Sequence, residues 1–182
     1  MVYESVTVPV LVVTGPVGVG KTSVALALSS VLGEMGVAHA VADMDWLRWC
    51  YPHPRDDPFH IELGLRNLAA VWGNYRAAGA RRLVLADVVE TRATLDTYRA
   101  AIPGANILVV RLTAALTTII HRLEERESGA SLIWHSQRAA ELLAQMEERR
   151  LEDILVQTEE RTVMEVAREI LDRAGWATSA EH

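Results

Sequence analysis

An α/β fold built on a parallel sheet is predicted by three observations. Strand-like apolar runs alternate with amphipathic helical stretches along the chain, the pattern of a parallel sheet covered by helices on both faces. The run Val8-Pro9-Val10-Leu11-Val12-Val13-Thr14 leads directly into Gly15-Pro16-Val17-Gly18-Val19-Gly20-Lys21-Thr22, a full G-x-x-x-x-G-K-[ST] phosphate-binding loop. A helical stretch follows at once, so the loop has the strand-loop-helix setting its chemistry requires.

Five strands are expected: Val8 to Thr14, Ala38 to Ala42, Arg82 to Ala86, Ile107 to Arg111 and Ile154 to Gln157. The first helix runs from about Lys21 to Leu32, with Val24, Leu28, Val31 and Leu32 at helical spacing and Gly33 or Gly36 as its stop. A second spans Ile61 to Ala78, with Leu65, Leu68, Ala69 and Trp72 on one face, and ends at Gly79. The last, Val163 to Ala174, is closed by Gly175. The 182 residues suit one domain, residues 1-182, with no repeat or linker.

Glycines let the loop curl its backbone N–H groups around phosphate oxygens, and the following helix turns its partially positive end toward the same anion. Gly15, Pro16, Val17, Gly18, Val19, Gly20, Lys21, Thr22 and Ser23 are therefore the expected nucleotide contacts. Lys21 is expected to reach the β- and γ-phosphates, and the Thr22 hydroxyl to join the shell of a Mg²⁺ ion bridging them. Lys21 is the only lysine in the chain, so an N-K-x-D guanine-reading tetrapeptide is absent and ATP is the expected nucleotide.

In open sheets of this type ligands sit beyond the carboxyl ends of the strands. After the second strand comes Asp43-Met44-Asp45, whose carboxylates are candidates for holding Mg²⁺ and for accepting a proton from an attacking hydroxyl. Asp45 alternatively caps a short helix through Trp46 to Trp49, and Arg48 on that helix is a candidate acceptor contact. After the third strand, Asp87 stands where a Walker-B carboxylate belongs and competes with Asp43 for the metal. Glu90 and Arg92 are candidate acceptor contacts, with Arg92 alternatively a solvated residue of the helix beginning near Thr94.

The stretch Leu112 to Arg150 reads as helical with a break at Glu127 to Ser131, the pattern of a hinged lid over about 122-138. Arg122 and Arg126, four apart, are expected on one helix face as a clamp for the transferring phosphate, with Arg138 returning from the second helix. An ion-paired solvated helix pair is the alternative. Trp46, Trp49, Tyr51 and Trp72 form either an aromatic wall for a flat acceptor or part of the core, and core packing is the commoner fate of such residues. Cys50, between Trp49 and Tyr51, is expected to be buried, and His121 to lie on the surface.

A net charge of -6 gives no broad basic surface, so nucleic acid is not an expected partner. No apolar stretch reads as a secretion signal or membrane span, and a cytoplasmic protein is expected. A homodimer is compatible with the sequence.

The phosphate loop, the Asp43/Asp45 pair, the arginine-bearing segment near 122 to 138 and the terminal stretch Thr162 to Ile170 together resemble the small P-loop kinases. Adenylylsulfate kinase, shikimate kinase, gluconate kinase and chloramphenicol phosphotransferase are the nearest types. The resemblance implies a P-loop NTPase three-layer sandwich with sheet order 2-3-1-4-5, a helical lid and acceptor-binding helices over about 46-78. It implies transfer of the γ-phosphate of ATP to a small-molecule phosphate acceptor. Asp43 then resembles the metal-side or base carboxylate, Asp45 the acceptor contact, Arg122 and Arg126 the lid arginines, and Thr158 with Arg161 the adenine-side loop. The segment Trp46 to His60 matches none of those types, and it lies where the acceptor is normally chosen, so the acceptor class stays open. A nucleotide-binding ATPase or regulatory module and a non-catalytic interaction protein are the competing readings.

Overall fold

The computed structural model describes residues 7–53 and 55–177. The elements in chain order are β1 (Val8–Thr14), α1 (Lys21–Glu34), β2 (His39–Asp43), α2 (Met44–Arg48), α3 (Ile61–Ala77), β3 (Arg82–Ala86), α4 (Arg92–Ala101), β4 (Ala105–Thr113), α5 (Leu116–Glu124), α6 (Gly129–Arg149), β5 (Ile154–Gln157) and α7 (Val163–Arg173). The strands form one parallel sheet in the order β2-β3-β1-β4-β5, as expected.

β1 is central and buried on both faces, which is why its sequence is a near-continuous apolar run. Its side chains alternate between two cores. Leu11 and Val13 pack with Val24, Leu28 and Leu32 of α1 and with Ile170 and Leu171 of α7 on one face. Val8, Val10 and Val12 pack with Leu68 and Trp72 of α3 and with Leu95 and Tyr98 of α4 on the other. This gives helix, sheet and helix layers, with Trp72 in the core.

Element ends differ from expectation by small shifts with local causes. β4 begins two residues early and ends two late because it pairs with β1 from Val8↔Ala105 to Thr14↔Arg111 and with β5 up to Thr113↔Gln157. Backbone pairing extends it past its apolar residues. Gly36 takes φ +69 just beyond α1, whereas Gly33 lies inside the helix, so only Gly36 acts as a stop. α7 opens with a reciprocal cap in which the Thr162 hydroxyl accepts from the Glu165 N–H and the Glu165 side chain accepts from the Thr162 N–H.

The loop after β1 depends on glycine at its first residue. Gly15 has φ +147, and a Cβ there would stand 2.6 Å from the Leu112 carbonyl oxygen of β4. Gly15→Ala should therefore lower stability by about 2 kcal/mol or more and loosen the loop. Gly33 has open space around its Cβ position, so Gly33→Ala should raise stability by about 0.5–1 kcal/mol. Urea unfolding of both variants checks the pair; equal effects would mean that the loop is not set by the backbone contact.

Candidate functional site

The carboxyl ends of β1, β2 and β3 open into a cleft of about 1230 Å³. A volume above the roughly 300–1,000 Å³ of ordinary single-ligand pockets leaves room for two molecules side by side. One wall is the phosphate loop and the other is built from α2, the 49–61 segment, the start of α4 and α6. Among the described residues no helix is long and apolar enough to cross a membrane.

On the loop side Gly18 and Gly20 have positive φ values of 82° and 104°, bending the backbone as an anion cradle requires. α1 starts with no side-chain cap and no acidic residue of its own in the first turn, which leaves its backbone N–H groups open to the cleft. Lys21 Nζ donates to the carbonyls of Gly15 and Pro16 at 3.2 Å each, holding the ammonium across the loop. Burial pushes the Lys21 pKa below its ordinary value; Asp45, Asp87 and Asp43 pull it back up, and Arg126 pushes in the same direction as burial. Three carboxylates and one arginine thus share the field at this ammonium.

Asp43 ends β2 and caps α2. Its Oδ1 accepts from the Asp45 N–H at 2.9 Å, and its Oδ2 accepts from the Thr22 hydroxyl at 2.6 Å. The cap of the short helix is therefore Asp43 and not Asp45, because the helix begins directly at Met44. Asp45 is turned into the cleft. Burial, then repulsion from Asp43, raises its carboxyl above the ordinary aspartate range, against the pull of Lys21.

Asp87 is buried at 3% exposure and is fully engaged. Arg48 grips it in a fork, Nη1 to Oδ1 at 2.8 Å and Nη2 to Oδ2 at 2.6 Å. The Tyr98 hydroxyl donates to the same Oδ2, and the Val88 N–H donates to Oδ1 at 2.8 Å. Burial, the Asp87 charge and its hydrogen bond all push the Tyr98 hydroxyl far above its ordinary pKa, so it stays a donor. Arg48 reaches Asp87 across Gly64 of α3, where a Cβ would meet the Arg48 Cγ at 2.7 Å.

The expected arginine pair of the lid is not a pair. α5 ends at Glu124, so Arg126 lies beyond the helix and the two side chains diverge. Arg122 donates to the Val19 carbonyl at 3.2 Å and to the hydroxyl and carbonyl of Thr158 at 3.0 and 3.1 Å, tying α5 to the phosphate loop and to the end of β5. Arg126 lines the cleft and pairs with Glu127 at 3.0 Å. Arg138 of α6 also lines the cleft and pairs with Glu90. Arg92 is exposed on the first turn of α4 and does not line the cleft, which is the solvated alternative. Arg161 is held by the Gln157 carbonyl and Glu169, away from the cleft lining.

The 46–60 segment reverses a packing expectation. Trp46, Trp49 and Tyr51 are exposed, with Trp46 and Trp49 stacked at 5.3 Å, and Cys50 is exposed as well. The segment is pinned from inside by His60, whose ring meets the Arg48 carbonyl at 2.7 Å and the Pro52 carbonyl at 3.2 Å. Those backbone ties let the aromatic side chains stand outward. His121 is exposed as expected. Tyr98, Phe59, Trp134 and His135 line the cleft without having been singled out in the sequence; Tyr98 reads there as an ordinary core position of α4, and no pattern marks the other three.

No protein-family model and no curated protein sequence matches the chain. Solved structures do. A gluconokinase from Sinorhizobium meliloti 1021 matches with a TM-score of 0.61 at 22% identity, over 94% of this chain and 93% of that one. A tunicamycin resistance protein from Deinococcus radiodurans matches with a TM-score of 0.65 at 19% identity, over 92% and 96%. The APS kinase of Mycobacterium tuberculosis, in complex with AMPPNP and APS, matches with a TM-score of 0.52 at 17% identity, over 91% and 96%. The chain has the fold of the small P-loop kinases, sheet order included.

The Asp87 cluster generates a stability prediction. Arg48→Met should destabilise by about 3 kcal/mol, because it leaves a buried carboxylate without its counter-charge, with solvent access to Arg48 keeping the loss at the low end. Tyr98→Phe should cost about 1–2 kcal/mol. Urea unfolding with unchanged slope would check both; a neutral Arg48→Met would mean that Asp87 is held by its other donors alone.

Proposed function

We propose that this chain is an ATP-dependent kinase that transfers the γ-phosphate to a hydroxyl of a small molecule. The observation that carries the reading is the joining of a full phosphate loop to a carboxylate-lined cleft large enough for two ligands. The fold shared with a gluconokinase and with an APS kinase solved with AMPPNP supports it.

In this reading the loop amides of residues 15 to 23, Lys21 and the first turn of α1 bind the β- and γ-phosphates. Thr22 and Asp43 supply hard oxygen donors side by side, a set that fits Mg²⁺ together with phosphate oxygens and water. The ion, when bound, neutralises phosphate charge. Asp87, with its oxygens taken by Arg48, Tyr98 and the Val88 N–H, orders the wall instead of serving the metal. Asp45 accepts the proton: it faces the cleft, and its raised carboxyl pKa makes it a better base than an ordinary aspartate. The acceptor O–H bond breaks toward Asp45 while the oxygen bonds the γ-phosphorus. The bond from phosphorus to the β,γ-bridging oxygen breaks, and its electron pair leaves on ADP. Arg126, already felt electrostatically at Lys21, stabilises the charge of the moving phosphoryl group. Arg122 and Thr158 border the adenine side, with Arg161 behind them. Arg48 and Glu90 shape the acceptor wall.

Lys21→Ala should abolish turnover, by at least about 100-fold, while far-UV circular dichroism stays unchanged; retained turnover would end the kinase reading. Asp45→Asn should lower kcat by about 100-fold or more with KM for ATP little changed. Because the base works deprotonated and its pKa is raised above 3.8, kcat of the parent should fall as pH drops through that raised value, and the Asn variant should lose this limb. An identical profile in both proteins would move the base elsewhere.

If Arg126 and Arg138 close on the nucleotide, amides over 126–138 should gain protection from hydrogen exchange with AMPPNP and Mg²⁺. Identical exchange in both states would make this segment a fixed wall.

A further inference from the structure

The side of the cleft opposite the phosphate loop carries a group of large apolar side chains, and the Arg48 and Arg138 guanidinium groups that line it are paired with carboxylates of the protein. Trp49, Tyr51, Phe59, Ile61 and Trp134 line it, and these side chains are 79%, 87%, 71%, 44% and 54% exposed. Side chains of this size standing in water beside a cleft mark a ligand surface more often than a random surface position does. Trp134 belongs to α6, Ile61 to the start of α3 and the other three to the connection between α2 and α3, so the apolar surface flanks the cleft from separate parts of the chain.

The charges complete the argument. Among the described residues the arginines lining the cleft are Arg48, Arg126 and Arg138. In the proposed reading Arg126 serves the transferring phosphoryl group; on the opposite wall Arg48 holds Asp87 at 2.6 Å, and Arg138 holds Glu90 and, at 3.3 Å, Glu141. His135 is paired with Glu127. Asp45 adds a further negative charge beside Lys21. An anionic acceptor entering this side would meet arginines already paired with carboxylates and the further negative charge of Asp45, whereas a neutral ring would meet tryptophan and phenylalanine faces.

From this geometry we infer that the acceptor is an uncharged alcohol with an aromatic or similarly flat apolar body, held between Trp49 and Trp134 with its hydroxyl toward Asp45, and that sugar acids and sulfated or phosphorylated acceptors are excluded. The inference rests on the kinase reading and names its substrate class. The reaction is the same transfer, ROH plus ATP giving the phosphate monoester and ADP, with the hydroxyl proton leaving through Asp45 to solvent.

The test separates binding from turnover. The full chain loaded with ADP and Mg²⁺ is titrated with phenyl β-glucoside, a neutral ring-bearing polyol, and with gluconate, an anionic polyol, and binding is followed by ligand-observed NMR. Phenyl β-glucoside should bind saturably and gluconate should not. Trp49→Ala/Trp134→Ala, at two exposed positions, should weaken the glucoside about tenfold. Glu90→Gln, which releases Arg138 from one partner, should make gluconate binding detectable. Preference for gluconate, equal binding of both, binding of neither, or a glucoside affinity indifferent to the tryptophans overturns the inference. ADP release from ATP is measured in parallel. Tryptophan-dependent glucoside binding without any acceptor-dependent ADP release would keep the assignment of the surface and end the kinase reading.

Discussion

A single buried carboxylate organises the wall of the cleft opposite the phosphate loop. Asp87 follows β3, and the three groups that satisfy it come from different places: Arg48 from the end of α2, Tyr98 from the middle of α4, and the adjoining Val88 N–H. Its burial is tolerable only because every donor is in position. The consequence reaches beyond stability. With Arg48 fixed, the His60 ring can bind the Arg48 carbonyl, and the 49–60 segment is fastened to α2 at its far end. Trp49, Tyr51 and Phe59 stand outward on the segment these contacts tie down.

The two walls of the cleft are electrostatic opposites. On one side stand backbone amides, a helix start with no side-chain cap, and Lys21. On the other, Arg48 and Arg138 are each paired with an acid of the protein. A helix end and a loop of amides are preorganised donors, effective for phosphate because nothing must be displaced or reoriented. Paired guanidinium groups are the reverse: a ligand would have to win them from a partner a few ångströms away.

The parts of this architecture that depend on periodicity and on short motifs were legible in the sequence. β1, β3 and β5 are alternating or continuous apolar runs with the expected bounds, and the loop after β1 follows from its glycines. Parts that depend on tertiary partners were not. The Arg48 and Tyr98 side chains that engage Asp87 lie 39 and 11 positions away, so its ion pair had no local signal. Arg122 and Arg126 share helical spacing, but α5 stops at Glu124, and nothing local forbids one more turn. The outward aromatic residues read as core because hydrophobicity alone cannot distinguish a face turned inward from one held outward by backbone ties such as those of His60. Cys50 follows its neighbours outward for the same reason.

The double use of Asp43 has a thermodynamic consequence. One oxygen caps the first turn of α2 and the other takes the Thr22 hydroxyl in the first turn of α1. Any cation or phosphate that redistributes charge around Thr22 therefore acts on the start of α2, the helix that carries Asp45, Trp46 and Arg48. In the proposed reading, occupancy on the loop side and affinity on the aromatic side would be linked through one carboxylate. Such linkage is reciprocal by necessity: the factor by which the first ligand tightens or loosens the second is the factor by which the second acts on the first.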